Sequence, residues 1–516
     1  MEERNNLEST QRNPNIIVKN GVYLLARYIL VMLIAFYTTR LTLQVLGDED
    51  YGINNIIGGL ISMFAVVSMP ITSALQRYFN VEFTKKEISP DIVFNTSLRI
   101  IGAIIVVMLI LYETIGLYFV KEILNYPPER GHAVIMIFHI TALLTLISFA
   151  IVPFTALLFA KEDMGIPAAV ELGGSIYKLV FLWLIPYVPS DSLILYTLFL
   201  LSLYIIQFLF YIIYCNKKYP ESRLKRSTDK SLGKNILKFA GWNSVEAVAG
   251  LSITYLSNII INYFGGVLYN TAYGLAKSLN TAVSSLTTNL VKAVEPQITS
   301  STVIEDDHYR NSLVLTTIKM ASIGVGFILV FFFFSGERFL QLWLGRVPKY
   351  AYEFCFIMLF SSLFSSVILP LRSVIIATGK IQKYFTAYGA ISVIVLLLMF
   401  VLLKMGMPVV TAAILVAACN GLFFVTAIVT TVRVSSLRIS DIFSTILLSV
   451  VALGAAFLVY GGCLKMVPQG GVVISIVTLL ASFIILIVTT YFVSLNHSEK
   501  AMIKSIVDKI KNKIHG

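Results

Sequence analysis

The stretch YILVMLIAFYTTRLTLQVLG, residues 28–47, is long and apolar enough to cross a bilayer, yet it carries Arg40 well inside the run. An arginine does not lose its proton under ordinary conditions, and a charge at the bilayer centre costs roughly 2.5–3.5 kcal/mol even on lenient insertion scales. Such a residue ordinarily faces a wet cavity or a partner. The composition around it is of the same kind: of 516 residues, 57% are hydrophobic and only 13% charged, which marks an integral membrane protein. A formal net charge of +12 would suit nucleic acid in a soluble chain. Here apolar segments recur along the whole length, so the basic residues are read as orienting the chain and attracting anionic lipid, with no nucleic-acid partner.

Apolar runs with polar punctuation predict an all-α protein of fourteen membrane helices, at 20–46, 50–80, 91–120, 132–160, 165–187, 192–215, 235–263, 266–298, 311–336, 350–378, 382–403, 408–431, 440–462 and 471–495. The eighth is so rich in Ser, Thr and Asn that it is expected to line water on one side. The seventh carries Asn243, Glu246 and Asn258 among small residues that permit close packing. The first twenty residues lack an apolar core and cleavage site, which predicts a cytosolic tail and no signal peptide. With that tail inside, most basic residues outside the helices fall on cytosolic segments, whereas the opposite side holds Lys121, Arg130, Arg338, Arg346, Lys349, Lys404 and Lys465. This bias favours fourteen spans with both termini in the cytosol.

The longest inner loop, CNKKYPESRLKRSTDKSLGKN, has the composition of a flexible linker. It suggests an N-lobe over 1–230 (helices 1–6 and the linker), a C-lobe over 231–436 (helices 7–12), and helices 13–14 with a basic tail over 437–516. A shift of 218 residues lays Gly47 and Tyr51 over Gly265 and Tyr269 at matching helix junctions, a weak sign of a parallel repeat with its site between halves. Cys215, Cys355, Cys419 and Cys463 are too scattered for a metal site or a disulfide framework. PER at 128–130 and YPES at 219–222 read as turn chemistry.

Charges left inside the helices are mostly positive. Arg27, Arg77, Arg99, Lys238, Lys292, Lys319 and Arg372 lie near cytosolic ends, where long side chains reach the headgroups. Arg40, Lys178 and Lys277 lie deeper. Glu171 and Lys178 are two helical turns apart, open to a mutual pair or to contributions to one cavity. Glu113, Glu171 and Glu246 leave room for pairing or for H+ or Na+ coupling. A cavity with surplus positive charge selects anions, and arginine's planar fork suits phosphate especially. Tyr255, Tyr269 and Tyr273 add rings along the seventh and eighth helices that are open to a packing role or to a sugar path.

The opening NIIVKNGVYLLARYILVMLIAFYTTRLTLQVLGDEDYGINNIIGGLISMF, with PITSALQRYFN ending the second helix and VEPQIT closing the eighth, resembles polysaccharide (O-antigen-type) flippases of the multidrug/oligosaccharidyl-lipid/polysaccharide exporter superfamily. The resemblance implies a V-shaped pair of six-helix bundles with two C-terminal helices, in a bacterial inner membrane. It implies alternating access that moves a polyprenyl (undecaprenyl) pyrophosphate-linked oligosaccharide to the periplasmic leaflet for O-antigen, capsule or related polysaccharide synthesis. A polymerase and chain-length machinery would then be partners. The related lipid II flippases use cavity arginines for pyrophosphate, which points to Arg40 and Arg77, with Arg27, Lys178, Lys277 and Lys292 as further candidates. The last two helices are the expected groove for the lipid tail.

The rival within the superfamily is a cation-coupled multidrug exporter, for which a carboxylate on the first helix would be expected. That helix has Arg27 and Arg40 and no acid. An enzyme acting on lipid-linked sugars would need an outer loop with an acid/base pair. The longest outer segments, VKEILNYPPERGH and SGERFLQLWLGRVPKY, are short and lack one. The reading is therefore a transporter with no catalytic residue, metal or organic cofactor.

Overall fold

Gly47 breaks the opening apolar helix. Its φ of 81° and ψ of 175° lie in a region that essentially only glycine occupies, so α1, Pro14–Ala65, is one assigned helix with a kink in its middle. In the computed structural model, residues 14–65, 68–85, 89–161, 163, 165–225, 227–303, 305–378 and 382–466 are described. After α1 come α2 (Ser68–Lys85), α3 (Pro90–Leu111), α4 (Gly131–Ala160), α5 (Gly165–Leu184) and α6 (Ser192–Lys218). Then follow α7 (Lys230–Gly265), α8 (Val267–Val303), α9 (Asp307–Leu344), α10 (Ala351–Ala377), α11 (Gln382–Lys404), α12 (Thr411–Val434) and α13 (Ile439–Met466). Among the described residues, nine helices are long and apolar enough to cross a membrane. This is a multi-pass, all-helical membrane protein.

Several boundaries differ from expectation. The helix expected at 50–80 is divided between the end of α1 and α2, whose first turn holds Pro70, a residue tolerated there because that N–H needs no helical partner. The third span leaves α-geometry at Leu111 and continues as wide π-type turns over Tyr112–Gly116 and Phe119–Ile123. The helix expected at 311–336 runs from Asp307 to Leu344, with the Asp306 carboxylate accepting from the Tyr309 N–H at 3.0 Å at its start and Gly345 (φ 81°) at its end. Much of the supposed outer loop SGERFLQLWLGRVPKY is therefore helix, because a helix need not stop where the hydrocarbon does. The fourteenth expected helix, 471–495, lies outside the described residues.

By contact, the chain forms two compact units. Unit 1 draws on 1–57, 68–121 and 127–240, and unit 2 on 58–67, 122–126 and 241–516. In unit 1, α4 is the hub, packing on α2, α3 and α6. In unit 2, α10 takes that place, packing on α8, α9 and α12. Each hub has a proline near its C-terminal end, Pro153 in α4 and Pro370 in α10, and each unit has a positive-φ glycine at a helix junction, Gly47 and Gly266. The two prolines are nearly as far apart in sequence as the two glycines, a spacing close to that of the Gly/Tyr pairing. The conformational equivalent of Gly47 is Gly266, one residue from the sequence match.

The linker is not a free tether. Asn95, buried in α3, accepts from the Lys225 N–H at 2.8 Å and donates to the Arg223 carbonyl at 3.3 Å, and the buried Thr96 hydroxyl accepts from Asp229 N–H at 3.0 Å. Lys225 also pairs with Asp91 at 3.0 Å. Polar side chains within an apolar helix thus satisfy the linker backbone, a role composition does not reveal. The two turn segments also do more than turn. Arg130 donates from Nε and Nη2 to both carboxylate oxygens of Asp50 (2.8 and 2.6 Å), and to Asp191 at 2.6 and 3.2 Å. Glu221 pairs with Lys161 at 2.8 Å.

Candidate functional site

The best-built of the candidate cations is Lys277, on α8 in unit 2. One turn before it, the buried Tyr273 donates its hydroxyl to the Thr254 carbonyl of α7 at 3.0 Å. One turn after it, Asn280 donates to the Met358 carbonyl and the Ser362 hydroxyl of α10 at 2.8 and 2.7 Å. The backbone carrying Lys277 is thereby fixed to both neighbours. Its side chain is half-buried, with Nζ 4.5 Å from the centroid of the Tyr255 ring. Such a contact is worth roughly 0.5–2 kcal/mol, more where water is excluded. The ring steadies the ammonium and brings no countercharge of its own, which leaves the lysine suited to an anion.

Arg40 is half-buried on α1 in unit 1. Beside it Thr38 and Thr42 are buried, and their hydroxyls donate back to the carbonyls of Ile34 (2.6 Å) and Thr38 (2.8 Å). These threonines satisfy themselves within the helix, leaving the guanidinium as the distinctive polar group of this stretch. Lys178, on α5, is half-buried with Nζ 5.6 Å from the Tyr196 centroid, in a small crevice with Tyr177, Phe181 and Phe199. Glu171 stands exposed on the same helix. Glu113 lies in the first π-type turn and meets His139 of α4 at 3.1 Å, both nearly half exposed. Lys292 is exposed on α8. The side chains of Arg27, Arg77 and Glu246 lie outside the described residues. Arg40 and Lys277 belong to different units.

The interior of unit 2 holds a network of polar groups of which the sequence reading singled out Asn258 alone. Asn258, Asn262 and Asn270 are buried and linked, Asn262 Nδ2 donating to Asn270 Oδ1 at 2.8 Å and Asn270 Nδ2 to Asn258 Oδ1 at 2.6 Å. Asn262 also accepts from the Asn125 N–H and donates to its carbonyl. On α10, Ser361 accepts from Asn420 Nδ2 at 2.7 Å and Ser366 pairs with Ser322 at 3.0 Å. The paired serines of SSLFSS at 361–366 were the available signal. Lys319, expected to reach the headgroups, is only 3% exposed inside unit 2. It lies three turns into α9, and that helix begins earlier than its apolar run.

No known protein-family profile matches the chain, and no curated protein sequence does. Solved structures do. The chain is similar to a structure titled lipid II flippase MurJ, inward closed conformation, at TM-score 0.72 and 12% identity, covering 91% of this chain and 98% of that one. It is similar to a MATE structure in complex with MaL6 at TM-score 0.55 and 13% identity, covering 79% and 94%. An outward-facing multidrug resistance MATE family transporter of the MOP superfamily matches at TM-score 0.53 and 13% identity, again covering 79% and 94%. The chain therefore has the fold of these transporters.

Proposed function

We propose that this protein is a flippase that carries a polyprenyl pyrophosphate-linked oligosaccharide from the cytosolic to the outer leaflet of a bacterial inner membrane, for surface polysaccharide synthesis. The observation that carries the reading is Lys277, a half-buried ammonium braced by Tyr255 on a helix tied to both neighbours. Arg40 supplies a second interior charge, of the planar type suited to bidentate contact with phosphate. The fold likeness to a structure titled as a lipid II flippase supports a lipid-linked anion as cargo. In this reading a cationic path opens first to the cytosol and then to the outside, the headgroup passes along it, and the lipid tail stays in the bilayer. Arg77, Arg27, Lys178 and Lys292 are further proposed contacts, and Glu113, Glu171 and Glu246 are proposed for pairing or for H+ or Na+ coupling. The proposed functional division is 1–230, 231–436 and 437–516, with both termini cytosolic and a polysaccharide polymerase and chain-length machinery as partners.

Ligand-dependent stabilisation of the purified protein tests this directly. Polyprenyl pyrophosphate should raise the apparent unfolding midpoint, whereas polyprenol of equal length and a lipophilic cation such as ethidium should not. Stabilisation by ethidium alone would favour the exporter reading of the same fold.

A further inference from the structure

Where α9 gives way to α10 in unit 2, far in sequence from Lys277, lies a cavity of about 440 Å³ lined by Glu337, Gln341, Arg346, Tyr350, Tyr352 and Glu353. That volume falls within the roughly 300–1,000 Å³ typical of small-ligand sites. Its aromatic walls are braced. Tyr350 stacks on Tyr269 with centroids 4.5 Å apart and planes 13° apart, and Tyr352 stacks on Phe332 at 5.5 Å and Phe356 at 6.3 Å. Tyr350 is also one of two non-glycine residues with positive φ among the described residues, at 65°, where its side chain makes no helix-capping bond. A tyrosine in that region costs on the order of 1–3 kcal/mol that a glycine would avoid, so the ring's placement is maintained against local preference.

The lining chemistry narrows the occupant. Glu337 and Glu353 are hydrogen-bond acceptors, Arg346 is a donor and Gln341 is both, an assortment suited to hydroxyl groups. The two carboxylates stand against Arg346 and the Lys349 ammonium, whose Nζ lies 5.0 Å from the Tyr350 centroid, so the site carries no surplus of positive charge to hold a phosphate. Tyrosine rings held in place beside such groups suit a ring with apolar C–H faces and a polar rim. We propose that this cavity binds an uncharged pyranose, holding a sugar of the transported glycan at the end of unit 2 that the charge distribution assigns to the outside. The identity of the cargo rests on the flippase reading, but sugar binding here does not require transport to be measured.

The test is saturation-transfer difference NMR on the full-length protein in lipid nanodiscs, with the methyl glycosides of glucose, galactose, mannose, N-acetylglucosamine and N-acetylgalactosamine. At least one should receive saturation from the wild type. That signal should fall roughly tenfold in Glu353→Gln, which removes an exposed charge and keeps the shape, and similarly in Tyr350→Gly, which removes the ring and relieves the backbone. No transfer to any glycoside, or transfer unchanged in both variants, overturns the site. Binding without lipid flipping would leave the site standing and count against the transport reading, whereas flipping without binding would do the reverse.

Discussion

At the scale of single residues, the proposal rests on the interior cations, and their chemistry makes distinct predictions. Lys277→Met keeps length and removes charge, so transport should fall about 10–100-fold, the equivalent of losing one charged hydrogen bond of roughly 1.5–3 kcal/mol. The unfolding midpoint should move little, because the lost tyrosine contact is offset by no longer half-burying a charge. Arg40→Lys keeps the charge and loses the fork, so a fall of about tenfold is expected in the same flux assay. Ion pairs outside the spans govern acid stability instead. Hydrogen bonding from Lys218, together with Tyr219 and Tyr214, all at 2.8 Å, holds the Asp163 carboxyl below its ordinary range. Burial pushes Asp191 and Glu221 upward, but hydrogen bonds from Arg130 and Lys161 leave both lowered on balance. Groups lowered by folding stabilise above their unfolded pKa and lose that contribution as pH falls through the folded value. The apparent midpoint should therefore be flat with respect to these pairs from about pH 8 to 5 and drop below about pH 4. A midpoint unchanged under acid would show that the pairs contribute nothing.

At the scale of helices, the two units share a conformational feature. Gly47 and Gly266 hold positive φ at helix junctions, so Gly47→Ala and Gly266→Ala should each destabilise by roughly 1–2 kcal/mol. Gly102→Ala on α3, where an added Cβ meets open space, is the matched control and should be neutral or slightly stabilising by thermal denaturation. Arg130→Ala should cost roughly 1–3 kcal/mol, less than a fully buried pair because its side chain is 25% exposed, and it leaves Asp50 facing Asp191 uncompensated. Asn262→Ala removes the side chain that pairs with both the N–H and the carbonyl of Asn125 and that donates to Asn270, and should lower the midpoint more than a surface Asn→Ala change. Helix existence was legible in the sequence because twenty apolar residues in a row admit few other structures. The ends were less so: Arg310 and Glu337 read as loop residues but lie in α9, since polar residues can extend a helix into water. Arg130 was misjudged because its carboxylates lie 80 and 61 residues away, beyond the reach of any local pattern.

At the scale of the whole molecule, the chain combines a transporter fold with a surplus of cations in its apolar helices. Arg40 and Lys277 were legible as candidates because a charge in an apolar run, with no acid close by in sequence, is costly anywhere. Their setting was not: the Tyr255 brace, the Asn280 tie and the buried Lys319 all depend on which helices become neighbours. The central claim is that these cations carry a lipid-linked pyrophosphate across the bilayer. The measurement that addresses it is flipping of a polyprenyl-pyrophosphate oligosaccharide in proteoliposomes, read by accessibility of the sugar to an external glycosidase, for wild type and Arg40→Ala. The account predicts that the wild type exposes the sugar and that Arg40→Ala, folded to the same midpoint, loses most of that activity. A wild type that flips no such lipid while moving a cationic dye along an ion gradient would contradict it.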